Sequence, residues 1–185
     1  MFQTSRMTAR VRIIALTFSL VFIAAAGVAV AEAASTLVAS EGPPMAAQQD
    51  QLPTKPVLTL EAAQLIADAA QAEAEANGWA VSIAVLDDSG QLLLFRRMDG
   101  AKLVAIDIAI RKARTAAYFQ GPTADLEAEV AAGRTALLPI DDFMPLQGGV
   151  PLMSGDQMVG AVGVSGVTGE QDAQCALAGA AALQD

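Results

Sequence analysis

Residues 80–98, AVSIAVLDDSGQLLLFRRM, decide the fold. Two β-rich runs, Ala80–Leu86 and Gln91–Met98, flank the turn signal Asp87-Asp88-Ser89-Gly90. Strands joined by so short a turn must run antiparallel, because a parallel pair needs a crossover of a dozen residues or more. The same pattern returns at Gly149–Met153 and Met158–Val164, around Ser154-Gly155-Asp156-Gln157. Two hairpins without alternating crossover helices exclude a doubly wound parallel sheet.

Helices surround these hairpins. Thr59 is a good N-cap for an Ala-rich helix reaching Ala76, and Asn77-Gly78 stops it. A second helix is expected over Leu103–Phe119, ended by Gly121-Pro122, and a short third over Thr123–Ala132. Residues 134–147 are ambiguous, with Gly133 before them and prolines at 139 and 145. Thr168 with Gln171 three residues later forms a capping box that opens a last helix to Leu183. The order α-ββ-αα-(β)ββ-α predicts an α+β fold, an antiparallel sheet with helices packed on it.

Ahead of this domain lie two segments of other kinds. Arg6, Arg10 and Arg12 precede the apolar run 13–30, and Ala-x-Ala sequences close it at 29–31 and 31–33. That order predicts a secretory signal peptide over residues 1–33, and so a periplasmic or secreted protein. An uncleaved membrane anchor is the competing reading, since 18 residues just span a bilayer. No cysteine follows the run, and Val11 separates Arg10 from Arg12, so neither a lipoprotein nor a twin-arginine signal is expected. Residues 34–56 carry Pro43, Pro44, Pro53 and Pro56 without periodicity, and read as a flexible linker. Residues 57–185 form one domain, long enough to bury roughly two thirds of its unfolded surface.

Composition removes most catalytic vocabularies. The chain has no histidine and one cysteine, Cys175. Ser-His-Asp and Cys-His machinery, His-ligated metal, internal disulfides and Cys-rich zinc sites are therefore absent. A net charge of -9 argues against a nucleic-acid partner. Cys175 reads as a small buried residue. Asp87-Asp88 and Asp141-Asp142 read as solvated turn residues, and nothing in the spacing supports a Ser165–Lys112 dyad. No catalytic residue is identified, which points away from an enzyme.

Six basic residues fall between 96 and 114, among them Arg96, Arg111, Lys112 and Arg114. Such clustering suits an anionic ligand, or simply a solvated helix face with an Asp107–Arg111 pair. On the second helix Asp107, Arg111, Arg114 and Tyr118 share one stripe, and Ile106, Ile110, Ala113 and Ala117 are expected to form the apolar face. Lys112 projects instead with Ala105, Ala109 and Ala116. It either snorkels out past the alanines or points into a ligand site or subunit contact. Glycines at 148, 149, 160, 163 and 166 imply close backbone approach, by packing or by a ligand.

Asp99-Gly100-Ala101, Ile108-Ala109-x-x-Lys112-Ala113-x-Thr115-Ala116, Gly148-Gly149-Val150-Pro151 and Gly160–Gly166 with Gln171-Asp172, taken together, resemble the GlcG/HbpS-like family. They are also similar to the C-terminal domain of PduO-type cobalamin adenosyltransferases. The resemblance spans about residues 57–185 and implies a profilin-like domain, assembled as a homo-oligomer, an octamer in the family. It implies a secreted small-molecule-binding protein, with haem as ligand and an accessory sensor role beside a sensor kinase. Without histidine, haem would need another axial ligand, such as Tyr118, a Met, a threonine hydroxyl or water. Lys112, Thr115, Arg111, Tyr118 and Arg96 are the ligand-binding positions this reading selects. The alternatives are an enzyme or accessory protein for a small organic acid of glycolate-type metabolism, and a purely structural assembly module.

Overall fold

The hairpin turn at 87–90 forms for a reason visible in its first residue. Asp87 Oδ1 accepts the backbone N–H groups of Ser89 and Gln91, each at 2.9 Å, and Gly90 takes the left-handed φ of +75° that closes the turn. A computed structural model describes residues 53–183, with the strands β1 (Ser82–Asp87) and β2 (Leu92–Arg97) on either side of this turn. The expected signal peptide and most of the expected linker lie outside the described residues.

The other elements are α1 (Leu60–Ala76), α2 (Val104–Phe119), α3 (Thr123–Ala131), β3 (Gly149–Ser154), β4 (Gln157–Ser165) and α4 (Gly169–Ala181). Thr59 caps α1 through its side chain, and Thr168 with Gln171 caps α4 from both sides, as the sequence predicts. Residues 134–147 form no strand. They hold a single 3-10 turn, Thr135–Leu137, within irregular chain.

All strand pairs are antiparallel, in the order β2-β1-β4-β3. The two hairpins therefore join through β1 and β4. α1 and α4 cover one face, burying Ile83, Val85, Leu152, Val162 and Val164. α2 covers the other, over Ala84, Leu86 and Ala161.

That second face has an unusual floor. Ala84, Gly163 and Gly149 stand side by side across β1, β4 and β3. A Cβ on Gly163 would sit 2.1 Å from the Ala109 carbonyl oxygen, and one on Gly149 would sit 2.4 Å from that of Lys112. The missing side chains let the α2 backbone rest almost on the strands. Apart from Lys112 and Thr115 the buried residues of α2 are alanines, Ala105, Ala109, Ala113, Ala116 and Ala117, while Ile106 and Ile110 stay half-exposed at the rim. The expected apolar face is corrected accordingly: its alanines are inside, its isoleucines are not. The glycines serve packing here.

Candidate functional site

Lys112 occupies the middle of this alanine face, at 2% exposure. It does not snorkel. Its Nζ donates to Asp172 Oδ2 at 2.7 Å and to the Val164 carbonyl at 3.0 Å. Asp172 is itself 3% exposed, and lies in the first turn of α4, where the helix dipole favours an acid. Its second oxygen accepts the Val167 N–H at 3.1 Å.

Gly148 completes the enclosure. Its φ of +115° is left-handed, and a Cβ there would lie 2.7 Å from the Val164 oxygen and 3.0 Å from Lys112 Nζ. Burial pushes the Asp172 carboxyl above its ordinary value, and the Lys112 charge and hydrogen bonds only partly oppose this.

The ion pair forms part of the wall of a cavity of about 190 Å³. Ser165, Gln147 and Glu127 add polar groups to that wall, and Ile108 and Leu146 add apolar ones. Glu127 accepts the Gln147 N–H at 3.0 Å, which ties α3 to the segment entering β3.

The remaining residues selected from the sequence fall in two other places. Arg111 and Tyr118 lie on the outer face of α2. Arg111 approaches Asp107 and Asp142 at 3.9 Å each, and its Nε has no hydrogen-bond partner. Arg114 donates to Asp142 Oδ2 at 3.1 Å and to the Gly90 carbonyl at 3.4 Å. Tyr118 packs its ring against Gly90 and remains 59% exposed. Thr115 sits beneath, where its hydroxyl accepts the Met144 N–H at 2.9 Å and donates to the Asp142 carbonyl at 3.3 Å. Both bonding directions of that hydroxyl hold the 142–144 loop.

Arg96 belongs to neither group. It donates to Asp68 at 2.7 Å and to Gln71 at 3.0 Å, both on α1, across the sheet from α2. The basic cluster at 96–114 is thus divided: Arg111 and Arg114 meet at Asp142, whereas Arg96 and Lys112 go elsewhere. Strand and helix geometry send its members to different faces.

Among the described residues no group of three or more Asp, Glu, Cys or His side chains converges on a metal position. Cys175 is fully buried, and burial with the negative charges of Asp172 and Glu73 pushes its thiol up to about 11. A thiol reagent at pH 8 is therefore expected to leave Cys175 unmodified in the folded protein and to label it in urea. Comparable labelling in both states would show that α4 opens freely.

The sequence marked Lys112 as the exception on its helix, but gave no sign of its partner. Asp172 is 60 residues away. Glu127 and Gln147 were also missed, because they acquire a role only when α3 and the chain before β3 meet.

Comparison with known proteins adds to this geometry. The family described as haem degrading protein HbpS-like matches residues 58–181. The protein GlcG of Escherichia coli (strain K12) is 48% identical over 112 residues, 60% of this chain and 84% of the relative. A crystal structure of a double mutant of HbpS from Streptomyces reticuli superposes with a TM-score of 0.66 at 40% identity, covering 71% of this chain and 90% of the other. The crystal structure of a PduOC:heme complex superposes with a TM-score of 0.63 at 26% identity, covering 69% and 95%.

Proposed function

The chain belongs to the haem degrading protein HbpS-like family, and from that premise we propose that it is an exported, homo-oligomeric protein that binds haem or a related tetrapyrrole on the outer face of α2. The observation that carries this reading is the exposure of Tyr118, the one tyrosine of the chain, beside Arg111 and Arg114.

The residues on that face fit such a group. A phenolic oxygen is an established axial donor to haem iron. The guanidinium groups of Arg111 and Arg114 offer charge-assisted bonds to propionates, and Phe119 adds exposed aromatic surface. Bound there, the group would supply a redox-active iron centre. The Lys112 cavity does not fit haem. Its volume of about 190 Å³ lies below the roughly 300 Å³ at which pockets for larger organic ligands begin.

Support for export comes from the basic and apolar order of residues 1–33. Support for self-association comes from exposed apolar side chains, including Leu103, Val104, Leu138 and Ile140. An organic acid in the Lys112 cavity is disfavoured by charge, because Asp172 and Glu127 outnumber the lysine.

Hemin titration of the purified protein is expected to give a Soret band saturating at a fixed stoichiometry. Tyr118→Phe should remove the tyrosinate-to-iron absorption, and Arg111→Ala or Arg114→Ala should each weaken affinity by about two- to five-fold, as expected for half-exposed charges. An unchanged spectrum at stoichiometric hemin would sink the proposal.

A further inference from the structure

The lysine behind the alanine face raises a separate question, because nothing on the outer face of α2 needs it. A buried ion pair is commonly no more stabilising than apolar residues of the same volume. Along α2 the neighbouring buried positions are filled by alanines, and a small apolar residue at 112 would have continued the pattern. The pair stands instead at the wall of a cavity, and a buried acid with a raised pKa beside a charged partner in such a place is a candidate for chemical work.

The wall selects the ligand class. Lys112 brings one positive charge, whereas Asp172 and Glu127 bring two negative ones, so an anion is disfavoured. The ammonium itself disfavours a cation. Ser165 and Gln147 present polar groups that a hydrocarbon would leave unmatched. What remains is a small neutral molecule with a polar end. At roughly 30 Å³ per water, 190 Å³ admits only a few heavy atoms. Two of the three Nζ hydrogens bond Asp172 and Val164, and a carboxylate at 2.7 Å is placed to take a proton from the amine.

We propose that this cavity is a carbonyl-trapping site, in which Lys112 Nζ forms an imine with a short neutral aldehyde and Asp172 carries the protons. The ammonium first passes a proton to the Asp172 carboxylate. The freed nitrogen lone pair attacks the carbonyl carbon, a C–N bond forms, and the C=O π pair moves to oxygen, which takes the proton from Asp172. The nitrogen then returns a proton to Asp172. That proton goes to the hydroxyl, the C–O bond breaks, and water leaves. The product is a protonated imine facing the Asp172 carboxylate, so atoms and charge balance. Desolvation of Asp172, which favours its protonated form, supports this shuttle.

The chain has three lysines, at 55, 102 and 112, and the first two are exposed. They serve as internal controls. The full protein is incubated with acetaldehyde and sodium cyanoborohydride, digested, and read by peptide mass spectrometry for reductive ethylation at each site. Lys112 is expected to be labelled at least tenfold faster than Lys55 or Lys102, with a rate that saturates in acetaldehyde. The anion glyoxylate should label Lys112 at least tenfold more slowly than acetaldehyde does. Leu146→Trp, at an exposed lining residue away from the ion pair, should slow labelling at Lys112 alone. Asp172→Asn should do the same. Labelling of Lys55 and Lys102 with Lys112 untouched in the wild-type protein overturns the proposal. So does labelling of Lys112 that is linear in acetaldehyde and indifferent to Leu146→Trp. Neither outcome bears on hemin binding, which is read on the other side of α2.

Discussion

Replacing Lys112 with methionine is expected to destabilise the fold by about 3–5 kcal/mol near neutral pH, read as a lower midpoint of urea unfolding. Methionine matches the lysine stem in length and apolar character, so the loss comes from leaving the Asp172 carboxylate buried without its partner. The penalty should depend on pH. Burial already raises the Asp172 pKa above its ordinary 3.8 with Lys112 present, and without Lys112 the rise must be larger. A carboxyl with a raised folded pKa binds more protons folded than unfolded, so its contribution is fully present below pH 3.8 and is lost as pH rises through the folded value. The deficit of Lys112→Met should therefore be smallest in acid and grow toward neutrality. Asp172→Asn should behave differently, because acid cannot neutralise the stranded ammonium. The double variant Lys112→Met with Asp172→Leu should recover most of the loss. A deficit for Lys112→Met that stays flat from pH 3 to pH 7 would refute the pairing.

What was legible in the sequence, and what was not, divides by distance along the chain. The two hairpins, the Thr59 cap and the Thr168–Gln171 box are local devices, and each formed within two residues of its expected place. The buried face of α2 was misread because isoleucine dominates any hydrophobic pattern, whereas alanine carries little weight. The decision lay in Gly149 and Gly163, on strands remote from the helix in sequence, which draw the α2 backbone close and favour alanine where it rests on them. Thr115 looked like a candidate ligand because it recurs in the family motif; the 142–144 loop that occupies its hydroxyl falls in the segment with no readable pattern. The basic run 96–114 divides for the opposite reason, although Arg111 and Arg114 still meet at Asp142. Its residues are close in sequence, but alternation along β2 and rotation along α2 disperse them.

The glycine floor sets the second large effect. Gly163→Ala adds one methyl group, yet its carbon would lie 2.1 Å from the Ala109 oxygen, 2.6 Å from the Ala113 nitrogen and 2.9 Å from the Ala113 Cβ. Two of these three neighbours are backbone atoms in the middle of a helix, which cannot rotate away as a side-chain tip can. α2 must lift from β4, or β4 must bend from its partners on both sides. Overpacking of this kind costs upwards of about 3 kcal/mol, and the thermal midpoint is expected to fall by more than about 10 °C. Gly155→Ala provides the contrast. That glycine has a left-handed φ of +59° but nothing within 4 Å of its would-be Cβ, so only backbone strain of roughly 1–2 kcal/mol is expected. Because Lys112 lies one turn from Ala109 on α2, lifting the helix also pulls its amine from Asp172. Gly163→Ala should thus unsettle the ion pair without touching either member, and acetaldehyde labelling of Lys112 in that variant should lose its saturation. If Gly163→Ala melts like the wild type, close approach of α2 to the sheet is not what holds the helix, and the glycine floor must be explained by something other than packing.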